Sequence, residues 1–392
     1  MIQHSQYYTE SVFSQLLIDE IKVYNPRIVL DLGIGEGALT QAAIKKWTKA
    51  SFIAIDIDNA NCKKIQEKEP QIQTLNIDAL SHKLNEVIKI NLGSVDVAIC
   101  NPPYKKINNS KQLCSLFDKA GLPQCKKIKT ISTEIVFLAN NLAMLKNNGY
   151  LGIIIPDGIA TRKDLRVLRE DIIKNHTVQH VIQLPDKIFA NTEARTHILI
   201  LTKGSSSKKN VKISIANYDG ICVDSIIVHR ELLIDRMDFN YAKWVSSYGK
   251  EKQNRGIPIS ICRGSLSYKE ITNMNLTSFH TIHYKKSDGN FASNRYEINC
   301  KIAEKGDILL ARVGKRCVGN VLRIQSGEIL FSDCVYRIRV SEDKQEYLFD
   351  YLNSDSFKKW VDVFAHGVCS LVISKSDLEN HLQNILSYQF EI

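Results

Sequence analysis

The chain has 392 residues, 44% of them hydrophobic, which is enough for two domains with separate cores. No apolar stretch approaches the roughly 18 residues that a membrane-spanning helix needs. The ten cysteines form no C-x-x-C pair, which argues against a zinc site or a disulfide framework. The formal net charge of +10 favours a nucleic acid partner. The first ten residues are polar, so we expect a cytoplasmic protein without a signal peptide, a membrane span or a bound metal.

Up to about residue 203, apolar strands alternate with amphipathic helices. This pattern predicts a doubly wound α/β sheet. Helices are predicted at residues 12–23, 38–47, 58–68, 133–146 and 163–174. Strands are predicted to begin near Ile28, Phe52, Ile72, Val95, Tyr150, Val178 and His197. The last two strands are expected to pair antiparallel at the end of the sheet.

The first strand ends at Asp31 and Leu32 and runs into a loop with glycines at Gly33, Gly35 and Gly37. Glycine is needed where the backbone turns tightly or passes close to a ligand. A loop of this kind between a strand and a helix places a cofactor at the carboxyl end of a sheet. The third glycine comes one residue earlier than in the dinucleotide fingerprint. The loop therefore predicts either a nucleotide-like cofactor or an ordinary strand-to-helix turn.

Two further strands end in carboxylates, Asp56 and Asp78. An acid at the first position can accept hydrogen bonds from the ribose hydroxyls of a nucleoside cofactor. The Asp78 carboxylate can bond to the adenine amino group of such a cofactor. We include the following residues, Ile57 and Ala79, in the predicted cofactor site. Each acid alone also fits a helix N-cap.

The strand at residues 95–100 is followed by Asn101, Pro102, Pro103 and Tyr104. Proline fixes the backbone dihedral φ, so a Pro-Pro turn at the end of a buried strand is rigid. It presents an amide and an aromatic ring at the mouth of the sheet. That arrangement suits the binding of a planar amine.

The glycine loop followed by the Asn-Pro-Pro-Tyr turn resembles the gamma group of S-adenosylmethionine-dependent N6-adenine DNA methyltransferases, over roughly residues 7–203. The resemblance implies a Rossmann-like seven-stranded sheet and S-adenosylmethionine as cofactor. The substrate would be an adenine flipped out of double-stranded DNA. The Asn101 side-chain oxygen and the Pro102 carbonyl would accept hydrogen bonds from the adenine amino group, and Tyr104 would stack on the base.

Two more positions match this family more loosely. Thr9 lies in an N-terminal segment that resembles the family's cofactor segment, although Glu10 replaces the usual proline. Phe189 follows Leu184 and Pro185 and fits a second aromatic wall for the flipped base. Packing of Phe189 in the core is the alternative.

Residues 105–130 carry seven lysines and one acid, together with asparagine, glycine and proline. This composition predicts a loop rather than a helix. Lysines at this place would lie along DNA phosphates. A solvated insertion with no contact to DNA is the alternative.

The strand–helix alternation ends near residue 235. We therefore expect a methyltransferase catalytic domain at residues 1–235 and a mixed α+β DNA target recognition domain at residues 236–392. The second part resembles one recognition domain of type I restriction specificity subunits, with strand-like runs at 306–314, 319–324, 329–331 and 335–340 and a helix near 346–361. The candidates for phosphate or guanine contacts are Arg312, Lys315, Arg316, Arg323, Arg337 and Arg339.

These features predict a site-specific DNA adenine N6-methyltransferase of a restriction-modification or related defence system. Its expected partners are double-stranded DNA and a cognate restriction endonuclease, and both a monomer and a dimer remain open. The main alternative is a glutamine N5-methyltransferase acting on a protein, because a glutamine amide is also a planar nitrogen donor. Only about 25 residues precede the glycine motif and about 190 follow the sheet, which favours DNA. A non-catalytic DNA-binding specificity subunit and a ribosomal RNA methyltransferase also remain open at this point.

Overall fold

The computed structural model describes residues 11–81, 84–186, 188, 195–249, 258–292, 300–367 and 370–390. The chain divides into two compact units, Met1–Ser246 and Ser247–Ile392. The division lies later in the chain than the expected boundary at residue 235. The reason is a helix at Phe239–Tyr248, whose buried residues Phe239 and Ala242 belong to a hydrophobic core of the first unit.

A large mixed sheet organises the first unit. The strands of this unit are β1 (Ile28–Leu32), β2 (Ser51–Asp56), β3 (Gln73–Asn76), β4 (Val95–Cys100), β5 (Lys106–Asn108), β6 (Thr130–Ser132), β7 (Leu145–Pro156), β8 (His176–Gln183), β9 (Thr196–Lys203), β10 (Asn210–Ala216) and β11 (Cys222–His229). Within the described residues, nine of them form a sheet in the order β11-β10-β8-β9-β7-β4-β1-β2-β3, while β5 and β6 form a separate ribbon. The predicted Rossmann-like α/β fold and the antiparallel β8–β9 pair are confirmed. Strands β10 and β11 extend the seven predicted strands.

Helices cover both faces of this sheet. They are α1 (Ser11–Glu20), α2 (Ala38–Lys46), α3 (Asn59–Lys68), α4 (Leu84–Val87), α5 (Lys111–Lys119), α6 (Thr133–Met144), α7 (Asp157–Thr161), α8 (Arg166–Asn175), α9 (Leu232–Asp235) and α10 (Phe239–Tyr248). One core packs residues of α5, α6 and α8 against the sheet, and another packs α1 and α2. Every residue of α6 is buried, which makes this helix a fixed element of the first core.

The strand order reverses between β1 and β4. From β1 the chain continues to β2 and β3 on one side, and from β4 it continues to β7 on the other. Strands β1 and β4 are parallel neighbours, with Asp31 opposite Ile99. Ligands of open α/β sheets bind at the carboxyl ends of the strands at such a reversal. The topology therefore brings the glycine loop and the Asn-Pro-Pro-Tyr turn to adjacent positions.

The composition of the lysine-rich segment at residues 105–130 predicted a loop, and this prediction is wrong. The segment contains β5, helix α5, a 3-10 helix at Pro123–Lys127 and the start of β6. Ser110 caps α5 by accepting a hydrogen bond from the Leu113 amide, and the side chains of Leu113 and Phe117 are buried. The apolar face of α5 packs into the core, and this burial outweighs the polar composition.

A Glu-His-Ser network, in which the histidine and serine are buried and the glutamate is partly exposed, ties helix α1 to the sheet. His180 Nδ1 lies 2.8 Å from the Glu20 carboxylate, and His180 Nε2 lies 2.7 Å from Ser214 Oγ. The arrangement resembles a hydrolase triad. Ser214, however, is 0% exposed inside β10, so no substrate reaches its hydroxyl. The network is structural.

The second unit is a smaller α+β arrangement. Its strands are β12 (Ser260–Arg263), β13 (Ser278–Phe279), β14 (Ile302–Glu304), β15 (Ile308–Ala311), β16 (Val321–Arg323), β17 (Glu328–Phe331) and β18 (Val335–Arg339). Its helices are α11 (Tyr268–Asn273), α12 (Glu342–Asn353), α13 (Asp355–Phe364) and α14 (Lys375–Phe390). The sheets run β12-β18-β15-β16 and β13-β17-β14. The single helix predicted near 346–361 is wrong: Ser354 interrupts it and caps α13 by accepting a hydrogen bond from the Phe357 amide.

Among the described residues, no helix is both long and apolar enough to cross a lipid bilayer. The same part of the chain contains no cluster of three or more histidine, cysteine or acidic side chains with the spacing of a metal site.

Candidate active site

The glycine loop is bonded to the end of the neighbouring strand β2. The Gly33 amide donates to the Ile55 carbonyl at 2.8 Å, and the Gly35 amide donates to Asp56 Oδ2 at 2.8 Å. The loop and the Asp56 carboxylate therefore form one connected structure at the carboxyl ends of β1 and β2.

Glycine occupies two positions of this loop, 35 and 37, for different structural reasons. Gly37 has a φ of +82°, and a Cβ there would lie 2.2 Å from Ile65 Cδ1. Glycine is favoured here chiefly because the backbone is left-handed, and a Cβ would also force the end of the Ile65 side chain to move. Gly35 has a φ of +53°, and a Cβ there would meet no atom within 4 Å. The space beside Gly35 is open, as close approach of a ligand to the backbone requires.

Asp56 is 6% exposed and already organises the backbone around it. Besides the Gly35 amide on Oδ2, its Oδ1 accepts a hydrogen bond from the Asp58 amide at 2.8 Å. Each carboxylate oxygen has room for a further donor. The next side chain, Ile57, is 52% exposed and offers an apolar surface. A hydrogen-bond acceptor and an apolar surface thus lie side by side at this edge.

The end of β3 lies next to the same site. The Ile77 amide donates to the Asp56 carbonyl at 3.0 Å. Asp78 is exposed, and its Oδ1 accepts a hydrogen bond from the Leu80 amide at 2.9 Å. One carboxylate oxygen of Asp78 thus caps its own turn, as an N-cap-like role predicts. Ala79 is buried, and its carbonyl accepts a 2.8 Å hydrogen bond from Asn140 of α6.

Asp31 is a buried carboxylate with an incomplete set of partners. It is 2% exposed, and Oδ2 accepts a 2.6 Å hydrogen bond from the Thr40 hydroxyl. Within the described residues, Oδ1 has no hydrogen-bond partner. Burial raises the pKa of Asp31 to about 7, the Thr40 bond opposes that rise, and the charge of Asp56 adds to it. A cationic group bound here would compensate the buried charge.

The Asn-Pro-Pro-Tyr turn begins where β4 ends. Cys100, the last residue of β4, contacts the Leu32 carbonyl through its Sγ at 2.9 Å. Pro102 is buried, whereas Asn101 and Tyr104 are partly exposed. Although both residues are partly exposed, the Asn101 Oδ1 and Tyr104 hydroxyl oxygen atoms are themselves buried. The turn lies at the carboxyl end of β4, which neighbours the strand that leads into the glycine loop.

Sequence reasoning missed several polar residues close to this turn. Thr133, the first residue of α6, is hydrogen-bonded to the backbone of Pro103 and Lys105. The next residue, Glu134, is 5% exposed, and burial raises its pKa, whereas a hydrogen bond from Ser132 opposes the rise. No sequence signal links Thr133 to the turn, because the two lie on either side of the lysine-rich insertion.

A second missed pair lies at the end of the adjacent strand β7. Asp157 follows Pro156, and its Oδ1 is 3.1 Å from His197 Nε2 in the buried start of β9. The Asp157 amide also donates to the Arg195 carbonyl at 2.9 Å. Strand β7 runs parallel to β4, so the end of β7 and the start of β9 lie on the same edge of the sheet as the turn. Thr9 and Phe189, both predicted site residues, lie outside the described residues.

Most basic candidates of the second unit have partners inside that unit. Arg339 donates to both carboxylate oxygens of Asp307, at 2.6 and 2.7 Å. Arg323 is paired with Glu346. Arg312 donates to the Asp333 carbonyl, and Arg337 donates to the Ser260 hydroxyl. The side chains of Lys315 and Arg316 are exposed on the loop after β15.

The N-6 DNA Methylase family model matches residues 3–225 of the chain. The chain is 28% identical over 243 residues to the type II methyltransferase M.BsuBI of Bacillus subtilis, a match that covers 54% of this chain and 46% of that protein. It is 26% identical over 117 residues to a putative protein N5-glutamine methyltransferase of Methanocaldococcus jannaschii, covering 30% of this chain and 57% of that protein. The chain thus spans about half the length of the curated relatives it matches.

A solved structure of the type IIG restriction endonuclease BpuSI has a TM-score of 0.52 and 11% identity to this chain. The match covers 97% of this chain and 60% of that one. At this level of identity the likeness concerns the fold alone.

Proposed function

This chain belongs to the N-6 DNA methylase family, and on that premise we propose that it is a site-specific DNA adenine N6-methyltransferase of a restriction-modification system. The cofactor of this reaction is S-adenosylmethionine. The observation that carries the proposal is the adjacency of two strand ends. The glycine loop follows β1 and the Asn-Pro-Pro-Tyr turn follows β4, and the two strands pair with Asp31 opposite Ile99.

The residues around the glycine loop fit S-adenosylmethionine. The open space at Gly35, the free acceptor capacity of Asp56 and the exposed Ile57 suit a nucleoside with its ribose and base. The buried Asp31 carboxylate suits the cationic amino-acid end. Asp78 and Ala79 line the same edge, and Asp78 would bond to the adenine amino group. When bound, S-adenosylmethionine supplies a methyl group on a sulfonium, which is highly electrophilic.

The Asn-Pro-Pro-Tyr turn would activate the acceptor nitrogen of the substrate. The lone pair of the adenine amino group is delocalised into the ring, so this nitrogen is a poor nucleophile. Asn101 Oδ1 and the Pro102 carbonyl would accept its two hydrogens and draw the nitrogen toward tetrahedral geometry. Tyr104 would stack on the flipped base. The nitrogen lone pair would take the methyl carbon that the cofactor supplies as its sulfur leaves, and the amine held by Asn101 and Pro102 would lose a proton afterwards, when it has become acidic.

We assign the reading of DNA sequence to the second unit. A target recognition domain of the type I specificity class would leave base contacts to exposed basic side chains. Of the six candidates, Lys315 and Arg316 are the exposed ones. Arg323 and Arg339 are engaged in ion pairs within the unit, so we assign them a structural role.

The proposal is tested by methyl transfer from tritiated S-adenosylmethionine. The purified chain would be mixed with unmethylated bacterial genomic DNA in one arm and with a cell protein extract treated with nuclease in the other. We expect label in DNA as N6-methyladenine. Label in protein glutamine alone would instead support the glutamine methyltransferase alternative. Two observations make that alternative worth testing: the Asn-Pro-Pro-Tyr turn, which such enzymes share, and the partial match to a putative enzyme of that kind.

A further inference from the structure

Thr133 is hydrogen-bonded to the backbone on both sides of Tyr104. Its hydroxyl donates to the Pro103 carbonyl and accepts from the Lys105 amide at 2.9 Å. The Thr133 amide donates to the Lys105 carbonyl at 2.7 Å. Thr133 itself is 2% exposed. One buried residue thus fixes both peptide segments that flank the aromatic ring of the turn.

The helix that carries Thr133 also contacts the predicted cofactor site. A Cβ at Gly33 would lie 3.2 Å from the ring of Phe137, and Asn140 donates a 2.8 Å hydrogen bond to the Ala79 carbonyl. Positions 133, 137 and 140 lie four and three residues apart, so their side chains share one face of α6. This face touches the Asn-Pro-Pro-Tyr turn, the glycine loop and the segment after β3.

Helix α6 is suited to hold these three segments in a fixed relation. All its residues are buried, and the β5–β6 ribbon leads directly into it, with Lys106 opposite Ser132. Because β6 pairs with β5, the end of the lysine-rich segment lies beside the residues that follow the turn. Methyl transfer depends on the distance between donor and acceptor atoms to within a fraction of an ångström, so a rigid link between the two sites has a direct chemical consequence.

We propose that Thr133 is a positioning residue for methyl transfer: it holds Tyr104 and the substrate turn in register with the cofactor site through helix α6. This inference rests on the proposed function. The side chain is 2% exposed and bonded to backbone groups, so it would act through the backbone at Pro103 and Lys105 rather than by contact with substrate or cofactor. Loss of the hydroxyl would leave a partly buried carbonyl and a partly buried amide without this partner. The ring of Tyr104 would then be less well placed to stack on a flipped base.

The test compares Thr133→Val, which keeps the shape and removes the hydroxyl, with Thr133→Ser, which keeps the hydroxyl. Three quantities are measured for each variant and for the wild type. They are the Kd of S-adenosylmethionine by calorimetry, kcat on unmethylated genomic DNA, and base flipping by the fluorescence of 2-aminopurine placed at the adenine that the wild type methylates.

We expect Thr133→Val to lower kcat at least tenfold and to reduce the 2-aminopurine signal, with the cofactor Kd changed less than twofold. Thr133→Ser should recover kcat to within about threefold of the wild type. Should Thr133→Val not melt cooperatively, Thr133→Ala, which leaves a small cavity at the helix start, takes its place.

Three outcomes contradict the inference. Wild-type kcat in the Val variant would show that the hydroxyl does not position the turn. Equal loss in the Ser and Val variants would assign the effect to packing. A wild-type protein that transfers no methyl group to DNA overturns the proposed function, and this inference with it, so the two failures are distinguishable.

Discussion

The buried carboxylate of Asp31 predicts that S-adenosylmethionine binding depends on pH near neutrality. Burial raises the pKa of Asp31 to about 7, and the Oδ1 atom has no partner within the described residues. The ionised carboxylate is the form that would bind a cationic amino-acid end. Between pH 8 and pH 6 its ionised fraction falls about tenfold, so the Kd should rise about tenfold, which corresponds to about 1.4 kcal/mol.

Stability of the unliganded protein should change in the opposite direction. The pKa is raised in the folded state, so the unfolded chain releases the Asp31 proton at a lower pH than the folded protein does. The free energy of unfolding therefore falls as pH rises from about 4 to about 7. The full cost of ionising this group, from the ordinary value of 3.8 to about 7, is about 4 kcal/mol.

Asp31→Asn is the matched control, because it keeps the shape and removes the titration. Isothermal calorimetry would give the Kd at pH 6, 7 and 8 for both proteins, and urea titration would give the free energy of unfolding. The variant should bind cofactor weakly and retain only the pH dependence that the cofactor amino group itself contributes. If the Kd of the wild type changes between pH 8 and pH 6 by the same factor as the Kd of Asp31→Asn, ionisation of Asp31 does not control cofactor binding.

Three further predictions concern other parts of the molecule. Asp56→Ala should weaken cofactor binding by roughly tenfold to a hundredfold in calorimetry, because charge-assisted hydrogen bonds contribute roughly 1.5–3 kcal/mol; unchanged affinity would reject the ribose role. Gly37→Ala should lower the free energy of unfolding by about 1–3 kcal/mol, because its Cβ would lie 2.2 Å from a side chain of α3. Gly35→Ala, with open space at its Cβ, should lose cofactor affinity and less stability; the reverse order would contradict the assignment. Arg316→Gln should lower the salt slope of duplex DNA binding by about 0.9 in fluorescence anisotropy, while Arg323→Gln, whose parent side chain is paired with Glu346, should leave the slope unchanged; equal slopes would remove Arg316 from the DNA contacts.

The edge of the sheet at which we place the site was predictable from sequence, because glycine, proline and acidic residues mark it. Glycines after β1, an acid at the end of β2 and a Pro-Pro pair after β4 interrupt apolar strands at positions that parallel topology brings together. Strands β1 and β4 are indeed neighbours, with Leu30 opposite Ala98. This part of the fold was predictable from the residue types at the strand ends and from the rule that parallel strands end at the same edge of a sheet.

The lysine-rich insertion was not predictable in the same way. Leu113, Leu116 and Phe117 have the spacing of a helix face, but the lysines and the turn-forming residues around them dominate the composition. Whether such a short amphipathic stretch folds depends on the core that receives it. The packing of this helix on the core is a tertiary contact, which the local sequence does not reveal.

The contacts of Thr133 were hidden for a related reason. Its partners at Pro103 and Lys105 lie just before the lysine-rich segment and at its first residue, and Thr133 lies after the segment. The β5–β6 ribbon brings them together. The break between α12 and α13 at Ser354 is different, because a serine followed by an aspartate is a local N-cap signal that the apolar pattern of the surrounding residues obscured.

We propose that this chain methylates adenine in DNA at a defined sequence and that the Asn-Pro-Pro-Tyr turn holds the acceptor nitrogen. The most direct measurement is long-read sequencing of modified bases in genomic DNA from a methylation-deficient bacterial host that expresses this chain. The matched control is a host that expresses Asn101→Ala at equal level, with cofactor binding of the purified variant confirmed by calorimetry. We predict N6-methyladenine at one sequence motif with the wild type and none above background with the variant. Absence of N6-methyladenine with a folded, cofactor-binding wild type, or equal methylation by the variant, would contradict the account.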